Sequence, residues 1–351
     1  MNTGFNKKAS AASGGLLPGD VRHAMSPKAH PVFEQISLFD DAYTLLNSGL
    51  ADFMSLDLQS ARNSLEQYGE IYRARDQVAH FLGIIDFLEE KLAQTPNGIE
   101  EPAYLYDLLN TLEVETSRVA CLSQNVRDGI RSSLQKRLLK AIEDHHLSGT
   151  PYLSSSLPTG FVYLRAGRPD EAIAALQACL PLSPGNALIY GYLGDAYLMR
   201  REVAQARQCY LNACLSDPKA LDWKFLKDSN LLSLRDQLVE RYGDESPALE
   251  WLPVHAILRD LFKPGLLGLY EGLKELVEDY LALQRKFRQT PEPGLKAGLF
   301  LRALLLCEQE PHLKFIKTVN FIDLRKTMKS LDPSLFAGYL TWIERRHAGL
   351  K

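Results

Sequence analysis

The sequence has no run of apolar residues long enough to span a bilayer. Its most apolar stretch, residues 299–307, is interrupted by Arg302 and falls far short of the ~20 residues a spanning helix needs. The first 30 residues hold Lys7 and Lys8 and then Ala, Ser and Gly, without a continuous apolar core. No secretory signal is expected there, and the expected compartment is the cytoplasm. Cysteine is scarce and scattered: the five (Cys121, Cys179, Cys209, Cys214 and Cys307) form no CxxC pair and no metal-ligand spacing. That pattern excludes a disulfide framework and fits reduced thiols packed in a core.

A surplus of charge of either sign is missing too. Lys and Arg number 40 against 43 Asp and Glu, for a net charge of −3, so no overall field draws nucleic acid, and none is expected as a partner. Strand signals are absent: β-branched runs are few, and no alternating segments are bounded by turns. The one Asn-Gly pair, Asn97-Gly98, sits between helical stretches and reads as a helix–helix connection.

Catalytic signatures are wanting as well. There is no GxxxxGK[ST] loop, no GxGxxG opening a helix, no HExxH and no GxSxG. His145 and His146 are neighbours on a helix, so their rings diverge and chelate poorly. They read instead as cations near a helix C-terminus. The pairs Glu89-Glu90 and Glu100-Glu101 do not face each other and read as solvated faces and helix starts. No catalytic residue, cofactor or metal site is expected.

What is present is an ordinary globular composition, 46% hydrophobic and 24% charged, over 351 residues, enough for two or three packing units. Residues 1–30 read as a disordered tail, small, polar and without a sustained period. From Pro31 onward apolar residues recur at i, i+3, i+4 and i+7, which predicts an all-α chain. Pro and Gly clusters at 94–102, 145–158, 242–253 and 291–294 divide it, since proline lacks an amide proton and clashes inside a helix.

An internal repeat stands out. Gly160 matches Gly194, Tyr163 matches Tyr197, Ala172 matches Ala206, Leu176 matches Tyr210 and Pro184 matches Pro218, each pair 34 positions apart with no gap. Tyr190, Leu193, Gly194 and Tyr197 form one stripe of a first helix. Val203, Ala206, Tyr210, Ala213 and Cys214 form the facing stripe of a second. Gly194 and Ala206 are small where two backbones must approach, and the tyrosines fill the volume beside them. Gly167 suits a helix C-terminal turn, and Pro169, Asp170 and Glu171 suit the first turn of the next helix.

With Tyr190, Leu193, Gly194, Tyr197, Ala206, Tyr210, Ala213 and Pro218 in place, the second copy resembles the tetratricopeptide repeat, a 34-residue helix–turn–helix. The first copy keeps Gly160, Tyr163, Ala172, Leu176 and Pro184 but has Ser156 and Thr159 where the family prefers an aromatic and a leucine. The resemblance covers residues 153–219. A weaker echo of the spacing, Gly49, Ala61 and Leu65, marks a candidate diverged hairpin upstream.

The resemblance implies a right-handed superhelix of hairpins flanked by N- and C-terminal helical regions. Its parts are a tail at 1–30, a helical region at 31–148, a repeat core with a capping helix at 149–242, and a second helical region at 243–351. It implies a concave groove lined by Leu157, Phe161, Leu164 and Arg165 from the first copy and by Leu188, Gly191, Asp195, Leu198 and Met199 from the second. These residues are mostly apolar, so the same face could equally be core. As a groove, it would take an apolar protein or peptide segment. Members that hold chaperone C-terminal carboxylates use cations and an asparagine at places occupied here by Leu157, Phe161, Tyr192 and Asp222, so that ligand is not expected. Residues 281–330 carry ten basic residues against four acids, which reads as a solvated face or a surface for an anionic partner. The sequence thus points to a non-catalytic adaptor or scaffold. The alternatives are a structural subunit of a larger assembly and, from another class, an enzyme with a helical-bundle site.

Overall fold

The computed structural model describes residues 32–114, 122–264, 273–309 and 318–348. The expected tail and Cys121 lie outside them. Among the described residues the periodic stripes become fifteen helices. They are α1 (Val32–Ser55), α2 (Leu58–Ile71), α3 (Arg75–Ala93), α4 (Glu101–Val114) and α5 (Gln124–Asp144). After them come α6 (Thr159–Arg165), α7 (Pro169–Cys179), α8 (Ala187–Met199), α9 (Val203–Ser216), α10 (Ser229–Tyr242) and α11 (Glu245–Leu258). Last are α12 (Leu273–Gln289), α13 (Pro293–Glu308), α14 (Phe321–Leu331) and α15 (Pro333–Ala348). Among the described residues no helix is long and apolar enough to cross a membrane.

Short polar side chains set where many of these helices start. Asp57, Ser123, Asn186, Asp228 and Asn320 each accept a backbone N–H from the first turn they precede, satisfying a donor the helix cannot pair internally. Pro169 and Pro293 occupy first-turn positions, where a missing N–H costs nothing.

Successive helices pack as neighbours: α1 with α2, α4 with α5, α6 with α7, α8 with α9, α10 with α11, α12 with α13 and α14 with α15. Two apolar cores result. The smaller, built on Phe53, Leu65, Ile85, Leu88 and Leu134, joins α1 to α5. The larger runs from Leu105 and Leu138 through the repeats to Trp342. Helices α4 and α5 contribute to both, so this hairpin couples the N-terminal helices to the rest.

The 34-residue repeat is a repeat of geometry. Gly160 faces Leu176 and Gly194 faces the Tyr210 ring so closely that a Cβ on either glycine would overlap that side chain, while Ala172 and Ala206 are fully buried. Seven residues after each glycine comes a left-handed residue, Gly167 (φ 75°) or Arg201 (φ 64°). The next N–H then reaches back: Arg168 to the Tyr163 carbonyl at 3.0 Å and Glu202 to the Tyr197 carbonyl at 2.9 Å. That is the helix-ending bond of a Schellman turn. The α1–α2 hairpin has the same set. A Cβ on Gly49 would lie 3.0 Å from Leu65 Cγ, Ala61 is fully buried, Leu56 is left-handed (φ 64°), and the Asp57 N–H reaches the Asp52 carbonyl at 3.0 Å.

Three local expectations are corrected. The cluster at 242–253 is no loop: only Gly243 (φ 73°) and Asp244 separate α10 from α11, and α11 carries Pro253 in its interior. Trp251, Leu252, Val254 and Ile257 are buried around it, and that packing outweighs the lost backbone hydrogen bond. The first repeat helix is short. Proline at 158 disfavours a helical conformation for Leu157, so α6 starts at Thr159. The residues before it form a two-stranded antiparallel ladder, β1 (Tyr152–Ser154) and β2 (Leu157–Pro158), pairing Tyr152 with Pro158 and Ser154 with Leu157. Finally, Val203 belongs to no core stripe; it is 41% exposed at the start of α9.

Candidate partner-binding groove

The first helices of the two repeats, α6 and α8, carry the residues expected to line a groove, and the chain itself covers part of that face. Between α9 and α10, residues 217–228 form no regular structure and run across this face as a strap. Gly191 makes the approach possible: with no Cβ there, Leu221 settles onto α8, its Cδ2 2.7 Å from where a Cβ would stand. Phe225 meets Phe161 edge-on at 5.6 Å, and Tyr192 stacks on the same Phe161 ring at 4.2 Å. Tyr106 from α4 closes the cluster at 6.2 Å.

Polar groups pin the strap. Tyr192 donates its hydroxyl to Asp222 at 2.9 Å, and Trp223 Nε1 donates to the Pro218 carbonyl at 3.0 Å. Asp195, 2% exposed, accepts from the Tyr210 hydroxyl at 2.6 Å and from the Lys227 backbone N–H at 2.8 Å. Burial pushes the Asp195 carboxyl up to about 6, against the pull of those two hydrogen bonds. Burial, reinforced by Asp195, raises the Tyr210 hydroxyl far above its ordinary value, so it serves as a donor.

The groove residues expected from the sequence therefore fall into three groups. Leu157 is buried on β2, and Phe161, Leu164, Gly191 and Asp195 are buried. Leu188, Leu198 and Met199 are half-buried against the larger core. Arg165 reaches the open part of the face, where it pairs with Glu113 on α4 at 2.6 and 2.7 Å, donates to Asn110 at 3.0 Å and stands over the Phe225 ring at 5.1 Å.

Sequence reasoning missed Glu113, Arg131, Lys224, Phe225 and Lys227. They join Arg165 around a cleft of about 460 Å³ where α4, α5, α6 and the strap meet. One local signal pointed to it. Asp228, followed by Ser-Asn-Leu-Leu, is a helix N-cap pattern, which leaves the residues between Pro218 and Asp228 as a free connection. Arg131 also donates to Glu113 at 2.6 Å, so one carboxylate serves two guanidinium groups. Burial opposes charge on Glu113, yet the Arg165 hydrogen bonds and the fields of both arginines outweigh it and hold its carboxyl below the ordinary value.

Other chemistry-bearing residues are absorbed locally. His145 bonds Glu101 at 2.9 Å. Arg302, from the basic stretch, pairs with Asp279 at 2.6 Å and donates to the Leu215 carbonyl at 3.0 Å, tying α13 to α12 and α9. Cys179, Cys209 and Cys214 are free thiols; burial raises the Cys209 thiol to about 12, which disfavours its thiolate. Among the described residues no group of three or more His, Cys, Asp or Glu could hold a metal ion.

A family model of the tetratricopeptide repeat matches residues 163–226, from Tyr163 on α6 to Leu226 on the strap. Residues 163–226 are thus tetratricopeptide repeat in sequence as well as in geometry. Over 107 residues it is 31% identical to anaphase-promoting complex subunit 3 of Schizosaccharomyces pombe, a match covering 30% of this chain and 16% of that protein. The chain thus spans less than a fifth of the length of this curated relative. No solved structure matches it significantly. The repeat register and the family match coincide on α6 to α9, and the match runs on into the strap.

Proposed function

We propose that this protein is a non-catalytic adaptor that binds a segment of another protein on the concave side of its hairpin stack, with α1–α2 as a diverged third repeat. Tetratricopeptide hairpins and an all-helical fold support a role in protein–protein interaction or assembly. The observation that carries the adaptor reading is the cleft left open between α4, α5, α6 and the strap, on the face where such hairpins receive partners. Leu157, Phe161, Tyr192 and Asp222 offer no cation at the clamp positions, so a lone C-terminal carboxylate is not the ligand. The partner contributes apolar side chains to the Phe161–Phe225 wall.

Affinity capture with the full chain from its native cells tests this. The expected result is a small set of proteins retained at fixed ratio to the chain and released by competition with untagged protein. A chain that recovers only itself, under cross-linking as well as native conditions, contradicts it.

A second reading, a permanent subunit of a larger assembly, is favoured by the name of the relative, a subunit of the anaphase-promoting complex. Size-exclusion with light scattering separates the two. A free monomer pool in extract supports the adaptor, and migration of the whole population in a larger species supports the subunit.

A further inference from the structure

We propose that the cleft between α4, α5, α6 and the strap recognises an acidic peptide segment, bound through its side-chain carboxylates. The proposal deepens the adaptor reading and rests on it. Four cations line the cleft, Arg131, Arg165, Lys224 and Lys227, and Glu113 is the one acid among the lining residues. Glu113 is shared by Arg131 and Arg165, so it compensates only half of that pair. Lys224 and Lys227 are exposed and form no ion pair among the described residues.

The other acids close by are already committed. Asp222 takes the Tyr192 hydroxyl, and buried Asp195 takes the Tyr210 hydroxyl and the Lys227 backbone N–H. The side of the cleft open to a ligand is therefore cationic, on a protein whose overall charge is −3. Phe225 adds an aromatic surface whose ring already carries two cations, Arg165 at 5.1 Å and Lys224 Nζ at 5.3 Å. Lys224 is oriented by the ring and remains available to an oxyanion, while Arg165, held by Glu113 and Asn110, adds its positive field from behind. A volume of about 460 Å³ suits a few side chains of a peptide and is too large for a single small anion.

Why a peptide and not nucleic acid follows from what the cleft lacks. The rings of Phe161 and Phe225 pack on each other, with Tyr192 and Arg165 on their remaining faces, and offer no row of open faces on which successive bases could stack. The arrangement instead fits acidic-motif recognition by clustered Arg and Lys, in which carboxylates meet the cations and an intervening apolar residue meets the aromatic wall.

The test uses the full chain and a fluorescein-labelled twelve-residue peptide of Glu, Asp and Leu with an amidated C-terminus, read by anisotropy at low salt. The expected result is saturable binding that weakens steeply with added salt. The double variant Lys224→Glu/Lys227→Glu, whose side chains are exposed, should lose at least tenfold in affinity while keeping the wild-type circular dichroism and melting temperature. Lys286→Glu on α12 should bind as wild type does. A peptide with Gln and Asn for Glu and Asp should not bind. The proposal is overturned if the acidic peptide does not bind, if the neutral peptide binds as well, if the double variant is unaffected, or if a twelve-nucleotide single-stranded DNA binds more tightly. Affinity capture with the double variant separates the two levels: partners retained unchanged would sink the acidic-segment proposal and leave the adaptor reading standing.

Discussion

Asp195 on α8 accepts the backbone N–H of Lys227 at 2.8 Å, a bond between residues 32 positions apart that fastens the strap to the repeat core. The Tyr210 hydroxyl lands on the same oxygen at 2.6 Å, so the strap and the repeat core share one buried carboxylate.

That carboxylate titrates in an accessible range. Burial raises it from an ordinary 3.8 to about 6, so the folded state holds its proton more tightly than the unfolded chain does. The native state therefore gains from protonation as pH falls from above 6 toward 4, and the gain disappears as pH rises through 6. Asp195→Asn keeps the accepting oxygen and removes the charge. It should be the more stable protein at pH 7.5, by on the order of 2–3 kcal/mol, and its advantage should vanish near pH 4. Urea denaturation of both proteins across pH 4–8 measures the difference.

His255 works in the opposite direction. Burial, with Arg241 and Arg259 nearby, depresses its imidazole from 6.5 to about 4. Its contribution to stability is present above 6.5 and is lost as pH falls toward 4. Replacing His255 by Gln, which can still bond Tyr242, should flatten the acid limb of the stability profile while leaving the Asp195 difference intact. A steeper acid limb in this variant would contradict the assignment.

The glycines separate packing from propensity. Gly83 on α3 is exposed and has nothing within 4 Å of a would-be Cβ, so Gly83→Ala should stabilise by about 0.5–1 kcal/mol through helix propensity alone. Gly160→Ala and Gly194→Ala make the same propensity gain but drive a methyl into Leu176 and the Tyr210 ring. Both should destabilise, by about 1–3 kcal/mol. Thermal melts of the three variants decide it.

Arg201 holds the left-handed position that Gly167 fills in the preceding repeat, and its side chain is exposed. Arg201→Gly relieves the steric cost of that conformation and should stabilise by about 1 kcal/mol. Loss of stability on this substitution would show that the side chain contributes more than the backbone strain costs.

The repeat was legible because its physics is local. Gly160, Ala172 and Leu176 each occupy one side of a close helix crossing, and the crossing recurs every 34 residues at Gly194, Ala206 and Tyr210. The same logic exposed Gly49, Ala61 and Leu65. Where the strap packs was not legible, because what holds it is distant in sequence: Leu221 rests on Gly191, and Lys227 bonds Asp195. Read alone, the Asp228 cap marks residues 219–227 as a connection but says nothing of what they pack against. Pro253 misled for the related reason that the buried surroundings of α11, set by residues far along the chain, override a local helix breaker.

Hydrogen exchange of the full chain, free and in complex with a partner captured from its native cells, tests the adaptor account most directly. The account predicts slowed exchange at Arg131–Gln135 on α5, at the end of α6 around Arg165, and across the strap from Lys224 to Lys227. Slowed exchange confined to the convex helices or to α12–α15, with the cleft unchanged, would contradict it.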